Sequence, residues 1–170
     1  DAAVIEDVLN GREGVSIANY NCPGQIVITG EAKAVAEAGT ALKEAGARRV
    51  LPLKVSGPFH SPMMRPAGEE LAKVFAGVSM NPLKVPYVAN INAEVITDCG
   101  KIEELLVAQV SGSVRWQQSV ETMIREGVDT FVEIGPGKTL TGFLRKIDKN
   151  VKSYHIGSWE EAVLVCEELK

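Results

Sequence analysis

Residues 15–30 read "VSIANYNCPGQIVITG". VSIANY and QIVITG are strand-like runs, and NCPGQ between them carries Pro23-Gly24, a strong turn signal. The stretch predicts a hairpin-like pair. Ahead of it, Val4, Ile5, Val8 and Leu9 share one helical face that Asn10-Gly11 closes. Behind it, Val35, Ala38, Leu42 and Ala45 recur at helical spacing up to Gly46. Residues 48–55, "RRVLPLKV", then read as a strand through Val50/Leu51, Leu53 and Val55. The order is helix, strand, strand, helix, strand, and one more strand in front would complete the βαββαβ ferredoxin-like unit. The chain starts at Asp1 without Met and enters a helical pattern at once, so the expectation is a fragment or processed product that has lost something ahead of it.

Further along, "VSGPFHSPMMRP" (55–66) sets His60 in a bend among Pro58, Pro62 and Pro66. Ser61 can cap the helix that follows, with Pro62 in its first position. Pro66 would break an early hydrogen bond, so that helix is expected to start in two parts. "KVPYVANI" reads as a buried strand. Ile102, Leu105, Leu106 and Gln109 mark one helix, and Trp116, Val120, Met123 and Ile124 another that stops at Gly127. "DTFVEIG" is a strand, "GPGK" a tight turn into a helix, and "KSYHIG" and "WEEAVLVCEEL" a final strand and helix. This alternation predicts a mostly parallel α/β sheet.

Length and composition narrow the function. The chain has 170 residues, 45% of them hydrophobic, enough for one ordinary domain with a core. A net charge of -4 argues against nonspecific nucleic-acid binding. No apolar run approaches the roughly 18 residues of a membrane span. Cys22, Cys99 and Cys166 fit neither a zinc site nor a disulfide framework, so a reduced, cytoplasmic setting is expected.

His60 follows a strand and precedes a helix, at the sheet edge where open α/β folds place their sites. It reads either as a general base or as a histidine filling a turn. Gln109 shares a face with Ile102, Leu105 and Leu106; spacing alone reads it as a helix-end residue reaching solvent. Its functional alternative is a group that holds an imidazole in the right tautomer. "EIGPGKTL" opens a helix through a glycine-rich turn, which can bind anions, but it lacks the phosphate-loop and dinucleotide spacings and reads as structural punctuation. His155 reads as structural. Arg145, Lys146, Lys149 and Lys152 form a basic run, read as a solvated face or an attraction for an acidic partner.

Taken together, "NYNCPGQIVITG", "LPLKVSGPFHSPMMRPA", "QVSGSVRW" and "EIGPGKTLTGFL" resemble, in order, the C-terminal part of the malonyl-CoA:acyl carrier protein transacylase family of bacterial fatty acid synthesis. The resemblance implies an α/β-hydrolase-like large subdomain with an inserted ferredoxin-like small subdomain. Residues 1–55 would be the small one without its first strand, and 56–170 the C-terminal part of the large one. It implies a ping-pong transfer of malonyl from malonyl-CoA, through a serine, to the phosphopantetheine thiol of acyl carrier protein. The resemblance implies no cofactor beyond those two substrates, and no metal, nucleic acid or membrane. By resemblance His60 is the catalytic base and Gln109 its orienter. Phe59 matches the malonyl-selective pattern, and Asn21 and Asn90 would lie near the pocket. Arg65, Lys138 and Arg145 could receive the acidic carrier protein.

The departure is as specific as the match. The family's Gly-His-Ser-x-Gly elbow, its oxyanion glutamine and its malonyl-binding arginine have no counterpart here. These parts are expected outside the chain, either on a companion chain or lost from it, and the 170 residues alone are expected to be inactive. Three alternatives differ in class or acyl choice: a polyketide-type acyltransferase fragment, a noncatalytic binding module, and, more remotely, a cysteine hydrolase using Cys22.

Overall fold

The computed structural model describes residues 1–170, a mixed α/β chain. Helix α1 (Ala2–Leu9) leads into strands β1 (Val15–Cys22) and β2 (Gln25–Gly30), which pair antiparallel with Cys22 opposite Gln25 and Val15 opposite Gly30. Pro23 precedes Gly24 at φ 78°, so proline fixes the first corner and glycine supplies the left-handed second one. Helix α2 (Ala32–Glu44) covers the hairpin with Ala38, Gly39 and Leu42 buried, a face of small side chains that allows close approach. Gly46, at φ 95°, follows its end as expected.

The strand expected at 48–55 does not form. Leu51, Leu53 and Val55 are 63%, 61% and 66% exposed, and no strand of the chain lies alongside to take their backbone hydrogen bonds. The residues have the pattern of a strand without a partner, and isolated strands have no ladder to hold them.

Ser61 caps a 3₁₀ turn at Pro62–Met64 that runs into α3 (Arg65–Phe75), the expected two-part start. Strands β3 (Tyr87–Val88) and β4 (Val95–Ile96) are two residues each, much shorter than "KVPYVANI" suggested. They pair antiparallel across a tight connection in which Ala93 donates to the carbonyl of Ala89. Helices α4 (Ile102–Ser111) and α5 (Trp116–Arg125) follow. Strand β5 (Thr130–Ile134), helix α6 (Thr139–Ile147) and strand β6 (Lys152–Ile156) form a crossover unit whose strands are parallel, and α7 (Trp159–Glu168) packs on β6.

The expectation of a mostly parallel sheet is therefore met only at β5–β6. The chain has three two-stranded sheets, and only this pair has a helix between its strands to make the parallel return. The core runs from β1 (Ile17, Ala18, Tyr20, Cys22) to Val120 on α5 and Leu144 on α6. β1 thus packs against elements from both sides of residue 55. No helix is long and apolar enough to cross a membrane.

Candidate functional site

The bend that carries His60 is held from within. Ser61, 1% exposed, donates its hydroxyl to the carbonyl of Pro58 at 2.6 Å and accepts from the amide of Met63 at 3.3 Å. His60 itself takes φ 58°, a left-handed conformation that side-chain-bearing residues rarely adopt. The strain is of order 1–2 kcal/mol, so the surrounding contacts must hold it. It aims the half-buried ring at α4.

Helix α3 brings the two segments together. Gly68 is buried where α3 crosses α4, and a Cβ there would lie 3.2 Å from the carbonyl of Val107. The helices approach closely because glycine leaves the space. Two residues further along α4, His60 Nδ1 lies 3.2 Å from the main-chain carbonyl oxygen of Gln109. A carbonyl only accepts, so Nδ1 carries the hydrogen, and in the neutral ring Nε2 is left with its lone pair. The structure joins His60 and Gln109 through the backbone of residue 109 and not through its side-chain amide. Gln109 is half-buried near the C-terminal end of α4.

Phe59 is 49% exposed beside His60. Asn90 is half-buried, and its carbonyl accepts from the amide of Arg115 at 2.8 Å, on the segment that follows α4. Asn21 lies half-buried near the end of β1, the strand that pairs with this segment through Val114. There the amide of Val114 donates to Ala18 at 2.7 Å and the amide of Tyr20 donates to Val114 at 2.8 Å. Sequence reasoning gave residues 112–115 no role. Their partners lie far off in the chain, and no local pattern marks such pairings.

The glycine-rich turn is answered by an internal group. Glu133 on β5 accepts from the amides of Leu140 and Thr141 at 3.0 and 2.7 Å and from the Thr141 hydroxyl at 2.6 Å. Its carboxylate occupies the start of α6, where an external anion would bind. Burial works against the charge, but the Thr141 hydroxyl and the two amides outweigh it, and the Glu133 pKa is lowered. This supports the reading of "GPGK" as structural. His155, on β6, donates from Nε2 to the carbonyl of Gly135 at 2.9 Å, and its Nδ1 lies 3.6 Å from Glu161, tying the same turn to α7.

Cys22 is 1% exposed, and burial pushes its thiol pKa up despite Lys146 nearby, the opposite of an activated thiolate. No three His, Cys, Asp or Glu residues come together as a metal cluster. Arg65, Lys138 and Arg145 are all exposed.

The acyl transferase domain family model matches residues 1–163. Among curated relatives, the chain is 44% identical over 156 residues to the malonyl CoA-acyl carrier protein transacylase of Bacillus subtilis, covering 92% of this chain and 49% of that protein. It is 43% identical over 149 residues to that of Escherichia coli, covering 86% and 48%. The chain spans about half the length of the curated relatives it matches. Among solved structures, an acyl-carrier-protein S-malonyltransferase from Bartonella henselae superposes with a TM-score of 0.93 at 40% identity, covering 99% of this chain and 55% of that one. A malonyl transacylase in complex with a type II polyketide synthase acyl carrier protein superposes with a TM-score of 0.89 at 37% identity, covering 98% and 53%.

Proposed function

The chain belongs to the acyl transferase domain family, and from that premise we propose that it is the histidine-bearing part of a malonyl-CoA:acyl carrier protein transacylase. The observation that carries this reading is the His60 ring held at Nδ1 by the Gln109 carbonyl, with Nε2 free to accept a proton. A serine hydroxyl attacks the malonyl thioester while Nε2 takes its proton, and CoA leaves with that proton. The phosphopantetheine thiol of the carrier protein then gives its proton to Nε2 as it attacks the malonyl-serine ester, and the serine oxygen leaves with that proton. The sequence of proton transfers needs one ring nitrogen fixed and the other available.

The serine, the oxyanion glutamine and the arginine that pairs with the malonyl carboxylate belong to the part of the relatives' length that this chain does not span. Residues 1–55 are the inserted ferredoxin-like subdomain without its first strand, and 56–170 the closing part of the α/β-hydrolase-like subdomain. Phe59, Asn90 and Asn21 line the acyl pocket. The exposed Arg65, Lys138 and Arg145 meet the acidic carrier, and no cofactor is required.

The test has two arms. The 170 residues alone, given malonyl-CoA, should release no CoA, because the covalent route has no nucleophile. Joined to the serine-bearing segment of a relative, they should transfer malonyl to holo acyl carrier protein. Robust turnover by the chain alone, or none by the joined protein in its folded form, overturns the reading. The likeness to a malonyl transacylase in complex with a type II polyketide synthase carrier supports a second reading, in which the carrier belongs to a polyketide synthase, and a panel of carrier proteins with the joined protein would resolve it.

A further inference from the structure

The Gln109 carbonyl is available to His60 for a reason that lies outside both residues. Inside a helix, that oxygen would accept the amide four residues on, which belongs to Ser113. Instead α4 ends at Ser111, and Gly112 turns out to φ −104° and ψ 161°. The chain leaves the helix before the Ser113 amide can reach back. We infer that Gly112 and Ser113 are positioning residues that set the His60 tautomer, by ending α4 so that the Gln109 carbonyl remains for the imidazole.

Four hydrogen bonds hold the segment extended. The Ser113 hydroxyl donates to the carbonyl of Ile17 at 2.6 Å. Val114 exchanges two backbone bonds with β1, and the Arg115 amide donates to Asn90. Gly112 itself sits against Ile91 and α4. A Cβ at this position would collide with the Ile91 side chain and lie 3.1 Å from the carbonyl of Ala108. The Ile91 contact is with the tip of its side chain, which can turn aside, whereas the Ala108 carbonyl is backbone of α4 and must give by a few tenths of an ångström. That adjustment falls on the last turn of α4, which also carries the Gln109 carbonyl. The carbonyl is also one of the last four of α4, without an intrahelical donor and at the negative end of the dipole, so it favours a donor facing it.

This deepens the transfer reading, since a fixed tautomer is what a proton-accepting Nε2 needs. It can nevertheless be tested apart from that reading, because the tautomer is read without any acyl transfer. The chain has two histidines, and their carbonyl partners demand opposite tautomers: Nδ1–H for His60 and Nε2–H for His155. Long-range ¹H–¹⁵N correlation spectra of the uniformly labelled chain, at about pH 8 where ordinary imidazole is neutral, report each form directly. The wild-type chain should show one histidine of each kind. Gly112→Ala should move His60 to a mixture or to the Nε2–H form, and Ser113→Ala should move it in the same direction by less. His155 should stay unchanged in both variants, which also reports an intact fold around β5–β6. If Gly112→Ala does not fold, the smaller Ser113→Ala shift decides alone. A His60 that keeps the Nδ1–H form in every folded variant overturns the inference, as does a wild-type His60 in the Nε2–H form.

Discussion

His60 and Gln109 stand 49 positions apart in the chain, yet Nδ1 of one lies 3.2 Å from the main-chain oxygen of the other. The contact is side chain to backbone, so the identity of the residue at 109 and the presence of its carbonyl are separate matters.

That separation predicts an insensitive glutamine. Gln109→Ala retains the carbonyl and should leave His60 in the Nδ1–H form in the same ¹⁵N spectra. In the protein joined to its serine-bearing segment, malonyl transfer should stay within about threefold of the parent, well under the tenfold that ~1.4 kcal/mol represents. A loss of a hundredfold or more would mean that the side-chain amide itself acts.

The imidazole is expected to be indispensable. His60→Ala in the joined protein should lower malonyl transfer by about 10²- to 10⁴-fold, the usual contribution of a positioned general base. Transfer of labelled malonyl to holo carrier protein measures it, and a noncatalytic role for the site would leave the rate nearly unchanged.

The left-handed backbone at His60 predicts a difference between two inactive variants. At φ 58° alanine inherits the strain and glycine does not. His60→Gly should therefore be more stable than His60→Ala by about 1 kcal/mol, read as a higher urea midpoint at equal slope. Equal midpoints would show that the backbone relaxes once the ring is gone.

Glu133 offers a pH test of the α6 start. Glu133→Ala should cost about 1–2 kcal/mol at neutral pH, the scale of losing a helix cap. Its folded-state pKa is lowered, so the contribution is fully present above the ordinary glutamate value of about 4.3 and is lost as pH falls through the lower folded value. Urea curves at pH 7 and pH 3 should show the gap between parent and variant shrinking in acid.

Tyr20 donates to Glu6 at 2.7 Å beneath the Arg115 guanidinium, and burial followed by the Glu6 hydrogen bond raises its pKa to about 12. A raised value stabilises the fold fully below the ordinary tyrosine pKa and loses that stabilisation as pH rises toward 12. Ultraviolet titration of the three tyrosines should show a last phase near pH 12 that Tyr20→Phe removes. A complete titration near pH 10, the ordinary tyrosine value, would contradict the buried hydrogen bond.

Much of this molecule is local, and local features were legible. Pro23-Gly24 dictates a corner that only a few backbone angles satisfy, so the β1–β2 hairpin followed from residues 15–30. Apolar spacing marked the helices, and Ser61 with Pro62 and Pro66 announced the two-part start of α3. The family resemblance picked out His60 and Gln109. The strand expected at 48–55 failed because a strand is a property of a pair, and its alternating Leu51, Leu53 and Val55 say nothing about whether a neighbour exists.

Sequence alone therefore determined which segments turn, which coil into helices and which histidine stands in the stiffened bend. Only the tertiary structure decided that Gln109 contributes its backbone oxygen, that Glu133 fills the start of α6, and that Gly112 and Ser113 keep the first of these possible. The reason is physical. Helix and turn preferences are settled among residues a few positions apart, whereas a hydrogen bond across 49 or 96 positions depends on where packing sets each end.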